Sequence, residues 1–133
     1  MSVLVVEDQR LLNWSLAKSL GKWGFDVRPV FTGHEAVAQI ENSWFDVVLL
    51  DYRLPDLDGL EIARRVRAAQ PNAVIFLLTA FQLNELAVDT GLIDAYFNKP
   101  LDLKQLRQAM KKVLCWRGTG ARMAGATRRQ SPV

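Results

Sequence analysis

Short apolar runs alternate with helical periodicity along the whole chain. Strand-length runs fall near 2–6, 26–30, 46–50, 73–79 and 95–98, and helical patterns near 9–22, 34–42, 58–69, 82–89 and 102–115. Continuous runs such as Val47-Val48-Leu49-Leu50 predict strands covered on both faces. The punctuation agrees: Gly21 and Gly24 close the first helix, Gln70-Pro71-Asn72 the third, and Gly91 follows the fourth. Leu12, Leu16 and Leu20 form the predicted core face of the first helix. Leu103, Leu106, Met110 and Val113 form that of the last, behind Asp102 as its N-cap. Five βα units with right-handed crossovers predict a three-layer α/β/α domain with a five-stranded parallel sheet and five helices.

Composition changes this picture little. The 133 residues are 50% hydrophobic and 23% charged, as in ordinary globular domains. No apolar stretch approaches the roughly 20 residues of a membrane span, and Glu7-Asp8 interrupts any signal-type N-terminus. The single Cys115 excludes an internal disulfide framework; it reads as a packed helix-end residue in a reducing, cytoplasmic setting. Charge is unevenly placed. Residues 117–133 carry Arg117, Arg122, Arg128 and Arg129 and no acid, so 13 of the 17 basic residues face all 14 acids in the remainder. The chain thus divides into a domain over 1–116, near −1, and a basic tail over 117–133 whose Gly, Ala, Thr and Arg predict disorder. A near-neutral body gives no electrostatic argument for nucleic acid, and the tail arginines, without an aromatic or amphipathic pattern, read as solvated.

The chemistry sits where strands end. Glu7-Asp8 follows the first run, Asp51 the third, Thr79 the fourth, and Lys99-Pro100 the fifth. In an open parallel sheet those carboxyl ends share one edge, where ligands bind. The pattern predicts an acidic, cation-binding pocket faced by one hydroxyl and one ammonium.

Glu7-Asp8, Asp51, Leu54-Pro55-Asp56-Leu57-Asp58-Gly59, Thr79-Ala80 and Lys99-Pro100, in this order and at these intervals, resemble the receiver domain of two-component response regulators over about Ser2 to Trp116. The resemblance implies a flavodoxin-like sheet of order 2-1-3-4-5, the order for which a chemotaxis receiver is the standing example. It implies Asp51 as phosphoacceptor, and Mg²⁺ (or Mn²⁺) held by Glu7, Asp8, Asp51 and the backbone carbonyl of Arg53. Lys99 would pair with the phosphoryl group, Thr79 would hydrogen-bond to it, and Tyr96 would be the aromatic that turns inward. A cis Lys99-Pro100 bond is implied as well. The phosphodonor would be a histidine kinase or histidine phosphotransfer protein, the output a switched protein-binding face, and homodimerisation one form that output could take. Catalysis beyond self-phosphorylation and self-dephosphorylation is not expected. The same site would also serve as the regulatory piece of a larger transcription factor. A small Mg²⁺-dependent aspartyl-phosphate phosphatase or phosphotransferase ranks below both, because Arg53 stands where such enzymes want a second acid.

Arg53 and Phe81 occupy the variable positions at the pocket mouth, and neither offers a carboxylate or carboxamide to orient water; slow self-dephosphorylation is expected. The Thr79-to-Lys99 interval is about two residues shorter than the family pattern, which places the departure on the fourth helix and its exit. Asp56 and Asp58 are expected to shape the turn at Gly59 and cap the third helix. His34, the only histidine, reads as a solvent-facing or capping residue. Trp14 falls opposite the core face of the first helix, where an exposed tryptophan can anchor a partner.

Overall fold

The computed structural model describes residues 1–80 and 91–119. The elements run β1 (Ser2–Val6), α1 (Arg10–Lys22), β2 (Asp26–Val30), α2 (Gly33–Asn42), β3 (Val47–Asp51), α3 (Gly59–Ala69), β4 (Val74–Thr79), β5 (Ala95–Asn98) and α4 (Leu103–Thr119). All strand pairs are parallel, in the order β2-β1-β3-β4-β5. The helix expected near 82–89 lies outside the described residues, which hold four helices. Helix α4 continues to Thr119, past the boundary placed at residue 116. No helix among the described residues is long and apolar enough to cross a membrane.

Alternation along the strands divides the core. Leu4, Val6, Val48, Leu50, Ile75 and Leu77 pack toward α2 and α3, with Ala36, Ile40, Ile62 and Val66. Val3, Val5, Val47, Leu49, Phe76 and Leu78 pack toward α1 and α4, with Leu16, Leu20, Leu106, Met110 and Val113. Every residue of β3 is buried, as a central strand covered on both faces requires. Strand β2 is the exposed edge and carries Pro29, which an edge strand tolerates. Leu103 remains 38% exposed, and Cys115 is exposed rather than packed. The core stripe of α4 passes through Val113, and position 115 lies two residues off that face.

Polar side chains hold the loops at the edge of the sheet where the strands begin. The buried Gln70 accepts from the Phe45 amide at 2.9 Å and donates to the carbonyls of Ile40 (2.9 Å) and Ser43 (2.7 Å), tying α3 to the α2–β3 turn. Arg67 bonds the carbonyls of Pro71, Ala73 and Leu92 and pairs at 3.1 Å with Asp94, a carboxylate that also accepts from the Ile75 amide. Helix α2 begins with a capping box between Thr32 and Glu35, and Asp102 accepts from the Lys104 amide as its N-cap reading requires. Gln70→Ala strands two buried backbone groups and a half-buried one, so urea denaturation should show a loss of about 2–4 kcal/mol with little change in m-value.

Candidate functional site

The three carboxylates converge. Glu7 and Asp8 leave β1, Asp51 ends β3, and oxygens of all three lie within 4.8 Å of one another. Glu7 is fully buried and Asp51 nearly so, while Asp8 is exposed. From the fifth strand, the Lys99 ammonium reaches Glu7 Oε1 at 2.9 Å and Asp51 Oδ1 at 3.2 Å. Thr79 is buried at the end of β4, and its carbonyl accepts from the Lys99 amide at 2.9 Å. The two residues are therefore joined through the backbone. The Lys99-Pro100 bond is cis. Tyr96 is half-buried and packs on the α2/α3 side of the sheet. Phe81 lies outside the described residues.

Local structure aims each group. The other Glu7 oxygen accepts from the Gln9 amide at 3.0 Å. Asn13, buried on the core face of α1, donates to the carbonyls of Glu7 (2.9 Å) and Val30 (2.8 Å), which pins the end of β1 to β2. The readable signal for Asn13 was a polar residue amid Leu12, Leu16 and Leu20; its partners were not readable. Gly59 allows α3 to start directly against β3, since a Cβ there would stand 2.5 Å from the Asp51 carbonyl oxygen. Asp58 caps α3 through the Leu60 amide, as expected. Asp56 does not cap α3. It accepts from the amides of Gly33 (2.8 Å) and His34 (2.9 Å) at the start of α2, and the His34 ring closes on the same carboxylate. The capping box at α2 occupies the Glu35 amide and leaves the Gly33 and His34 amides to a second carboxylate, which Asp56 supplies, while Asp58 alone caps α3.

Electrostatics follow from this crowding. Burial, opposed by the Gln9 amide and Lys99, pushes Glu7 up to about 7. Burial also raises Asp51, against Lys99 and with the charge of Asp8 adding to it. Desolvation would lower Lys99, but hydrogen bonds and charges from Glu7 and Asp51 outweigh it and raise its pKa. The 2.9 Å ion pair by itself would favour an ionised Glu7; with no oxygen exposed, burial has the larger effect. Asp56 is held near 2: slight desolvation is overcome by the Gly33 and His34 amides and the His34 ring.

An all-oxygen set with at least one exposed carboxylate fits a hard divalent cation that keeps several waters. Comparisons agree with that chemistry. The family model described as "Response regulator receiver domain" matches residues 3–111, so the chain belongs to the response regulator receiver domain family. It is 35% identical over 134 residues to the transcriptional regulatory protein ZraR of Salmonella typhimurium, covering 98% of this chain and 30% of that one. It is 36% identical over 115 residues to the response regulator MprA of Mycobacterium sp., covering 84% and 50%. The chain thus spans half or less of these relatives. Among solved structures, a receiver domain protein from Methanospirillum hungatei superposes with a TM-score of 0.83 at 26% identity, covering 90% and 98%. The response regulator TrrA of Thermotoga maritima, solved with Mg²⁺ and beryllofluoride, gives 0.77 at 28%, covering 84% and 97%.

The raised Glu7 has a definite sign in stability. Between about pH 4.5 and 7 the folded protein keeps a proton that the unfolded chain releases, so stability falls as pH rises through that window. In EDTA, urea unfolding from pH 4.5 to 7.5 should lose on the order of 2 kcal/mol from this group. Glu7→Gln, which cannot titrate, should flatten that slope.

Proposed function

We propose that this receiver accepts a phosphoryl group on Asp51 from a phosphohistidine donor, a histidine kinase or histidine phosphotransfer protein, and thereby switches a protein-binding face. The observation that carries the reading is the Lys99 ammonium set between Glu7 and Asp51, beside a buried Thr79. Asp51 is the nucleophile: its oxygen bonds to phosphorus as the phosphorus–nitrogen bond of the donor breaks and the imidazole leaves. An ionised carboxylate needs no general base. Its obstacle is charge, because two further acids surround it and the donor is anionic. Mg²⁺ held by Glu7, Asp8, Asp51 and the Arg53 carbonyl would neutralise that charge; the donor set gives no reason to choose Mn²⁺ over it. Lys99 exchanges a carboxylate for a phosphoryl oxygen, which releases its hold on Glu7.

The phosphoryl brings roughly −2 charge and three acceptor oxygens. Thr79 supplies a hydroxyl donor at the end of β4, and its approach opens space for Tyr96 on the next strand. That two-position switch alters the surface around β5. The product is a changed binding face, which can be read as homodimerisation or capture of a target protein, and turnover is confined to gain and slow loss of the phosphoryl on Asp51. Arg53 gives no group that could activate water, consistent with a long-lived phosphoryl.

The donor docks beside the acidic edge. Trp14 is 61% exposed and Leu11 84% exposed, one turn apart at the start of α1. A second reading places the same switch in a longer regulator, favoured because ZraR and MprA extend well beyond the matched region.

Beryllofluoride with Mg²⁺ should change tryptophan fluorescence of the native chain and leave Asp51→Asn unresponsive; a response in both would remove the phosphoacceptor assignment. Trp14→Ala should reduce phosphotransfer from the cognate phosphohistidine protein at least tenfold, about 1.4 kcal/mol. Labelling by acetyl phosphate, which needs no docking, should be unchanged in the same variant.

A further inference from the structure

The β3–α3 loop is fastened at its base and again at its tip. At the base, the Gly59 amide donates to the Tyr52 carbonyl at 2.9 Å, and Arg53 faces Asp58 across an antiparallel bridge. The Arg53 amide hydrogen-bonds the Asp51 carboxylate, so this peptide stands at the phosphoacceptor itself. At the tip, Asp56 accepts from the Gly33 amide at 2.8 Å and the His34 amide at 2.9 Å. Leu57 lies directly on the first turn of α2: a Cβ added to Gly33 would stand 2.7 Å from the Leu57 Cβ and 2.9 Å from its Cδ1. Gly33 has no positive φ, so room for Leu57, and not backbone conformation, calls for glycine there.

The two attachments do different work. Bonds at the base hold the strands of the loop together but leave it able to tilt as a body about that line. Contacts at the tip remove the tilt, because Asp56 and Leu57 grip a helix that is itself packed on the sheet through Ala36 and Ile40. Helix α2 supplies none of the residues of the acidic site, yet it sets the angle of the loop that leaves Asp51.

We propose that Asp56, Leu57 and Gly33 are positioning residues for the divalent cation, which seat the loop on α2 and thereby hold the Arg53 peptide at the site. The inference rests on the reading of Glu7, Asp8, Asp51 and the Arg53 carbonyl as the Mg²⁺ donors. Mg²⁺ demands near-octahedral geometry at about 2.1 Å, so a small tilt of one donor peptide loses affinity. Groups that orient a donor without touching the ion commonly govern affinity by about 10–100-fold. The His34 ring, 76% exposed, adds to the Asp56 contact but is dispensable, since amides already meet both carboxylate oxygens.

The test is an Mg²⁺ titration of the full chain followed by tryptophan fluorescence, with urea unfolding in EDTA to measure stability separately. Gly33→Ala, which changes no charge, and Asp56→Ala should each weaken Mg²⁺ binding about tenfold or more. His34→Ala should bind like the native chain. Leu57→Gly removes the side-chain atoms that the Gly33→Ala methyl would meet. It should lower affinity alone, and adding Gly33→Ala to it should cost nothing further. Gln70→Ala loosens the opposite edge of the sheet and should leave Mg²⁺ affinity unchanged.

Native affinity in both Gly33→Ala and Asp56→Ala overturns the proposal while leaving the cation site standing. A loss in Gln70→Ala as large as theirs also overturns it, because general destabilisation would then explain every variant. So does a Gly33→Ala penalty that persists undiminished beside Leu57→Gly. If the native chain takes up no Mg²⁺, this inference falls together with the cation reading beneath it.

Discussion

Like charges held together out of water are the constraint around which this molecule is arranged. Glu7 and Asp51 are buried within reach of each other and of Asp8, and the Lys99 ammonium is the cation that spans the two buried ones. Burial raises both buried carboxyls, and the neighbouring carboxylate charge adds to the rise in each. The cluster persists because the surrounding structure is over-determined. Asn13 ties the Glu7 carbonyl to β2, the Lys99 amide is bonded to Thr79, and Gly59 lets α3 abut the end of β3. A site built this way is poised for a cation and for an incoming anion that can take over the ammonium. Both needs meet in the proposed phosphoryl transfer.

The two sides of the sheet have different characters. Toward α2 and α3 lie Tyr96 and the β3–α3 loop, whose Asp56 is fastened to the start of α2. Changes at Asp51 have a short mechanical route to that side. Toward α1 and α4 the core is closed, and the two helices themselves contain basic residues and no acid.

Much of this was legible in the linear pattern. Strand ends at Val6, Asp51 and Thr79 were marked by apolar runs stopping at a polar group, and the helix periodicities located Leu16, Leu20, Leu106, Met110 and Val113. Sites that depend on one local signal were also readable, such as the Asp102 cap and the Asp58 cap. The partner of Asp56 is not legible in the sequence, because an Asx side chain in a turn has two helix starts within reach and local pattern marks only the nearer one. Gln70 and Asp94 sit in segments that read as ordinary loop punctuation and Arg67 reads as one more polar residue of a helix, yet each bonds backbone groups far away in the chain.

Local rules act over a few residues, so the order of strands and helices, and the polar groups that must stand at the carboxyl edge, are written in the sequence itself. Which oxygen faces which nitrogen is decided only when β1, β3 and β5 lie side by side. Only then does Lys99 meet Glu7 and Asp51, although 92 and 48 positions separate them in the numbering. The same holds for charge. Arg107 of α4 comes over the Trp23 ring at the end of α1 because packing puts both helices over the same sheet face, and no count along the chain contains that adjacency.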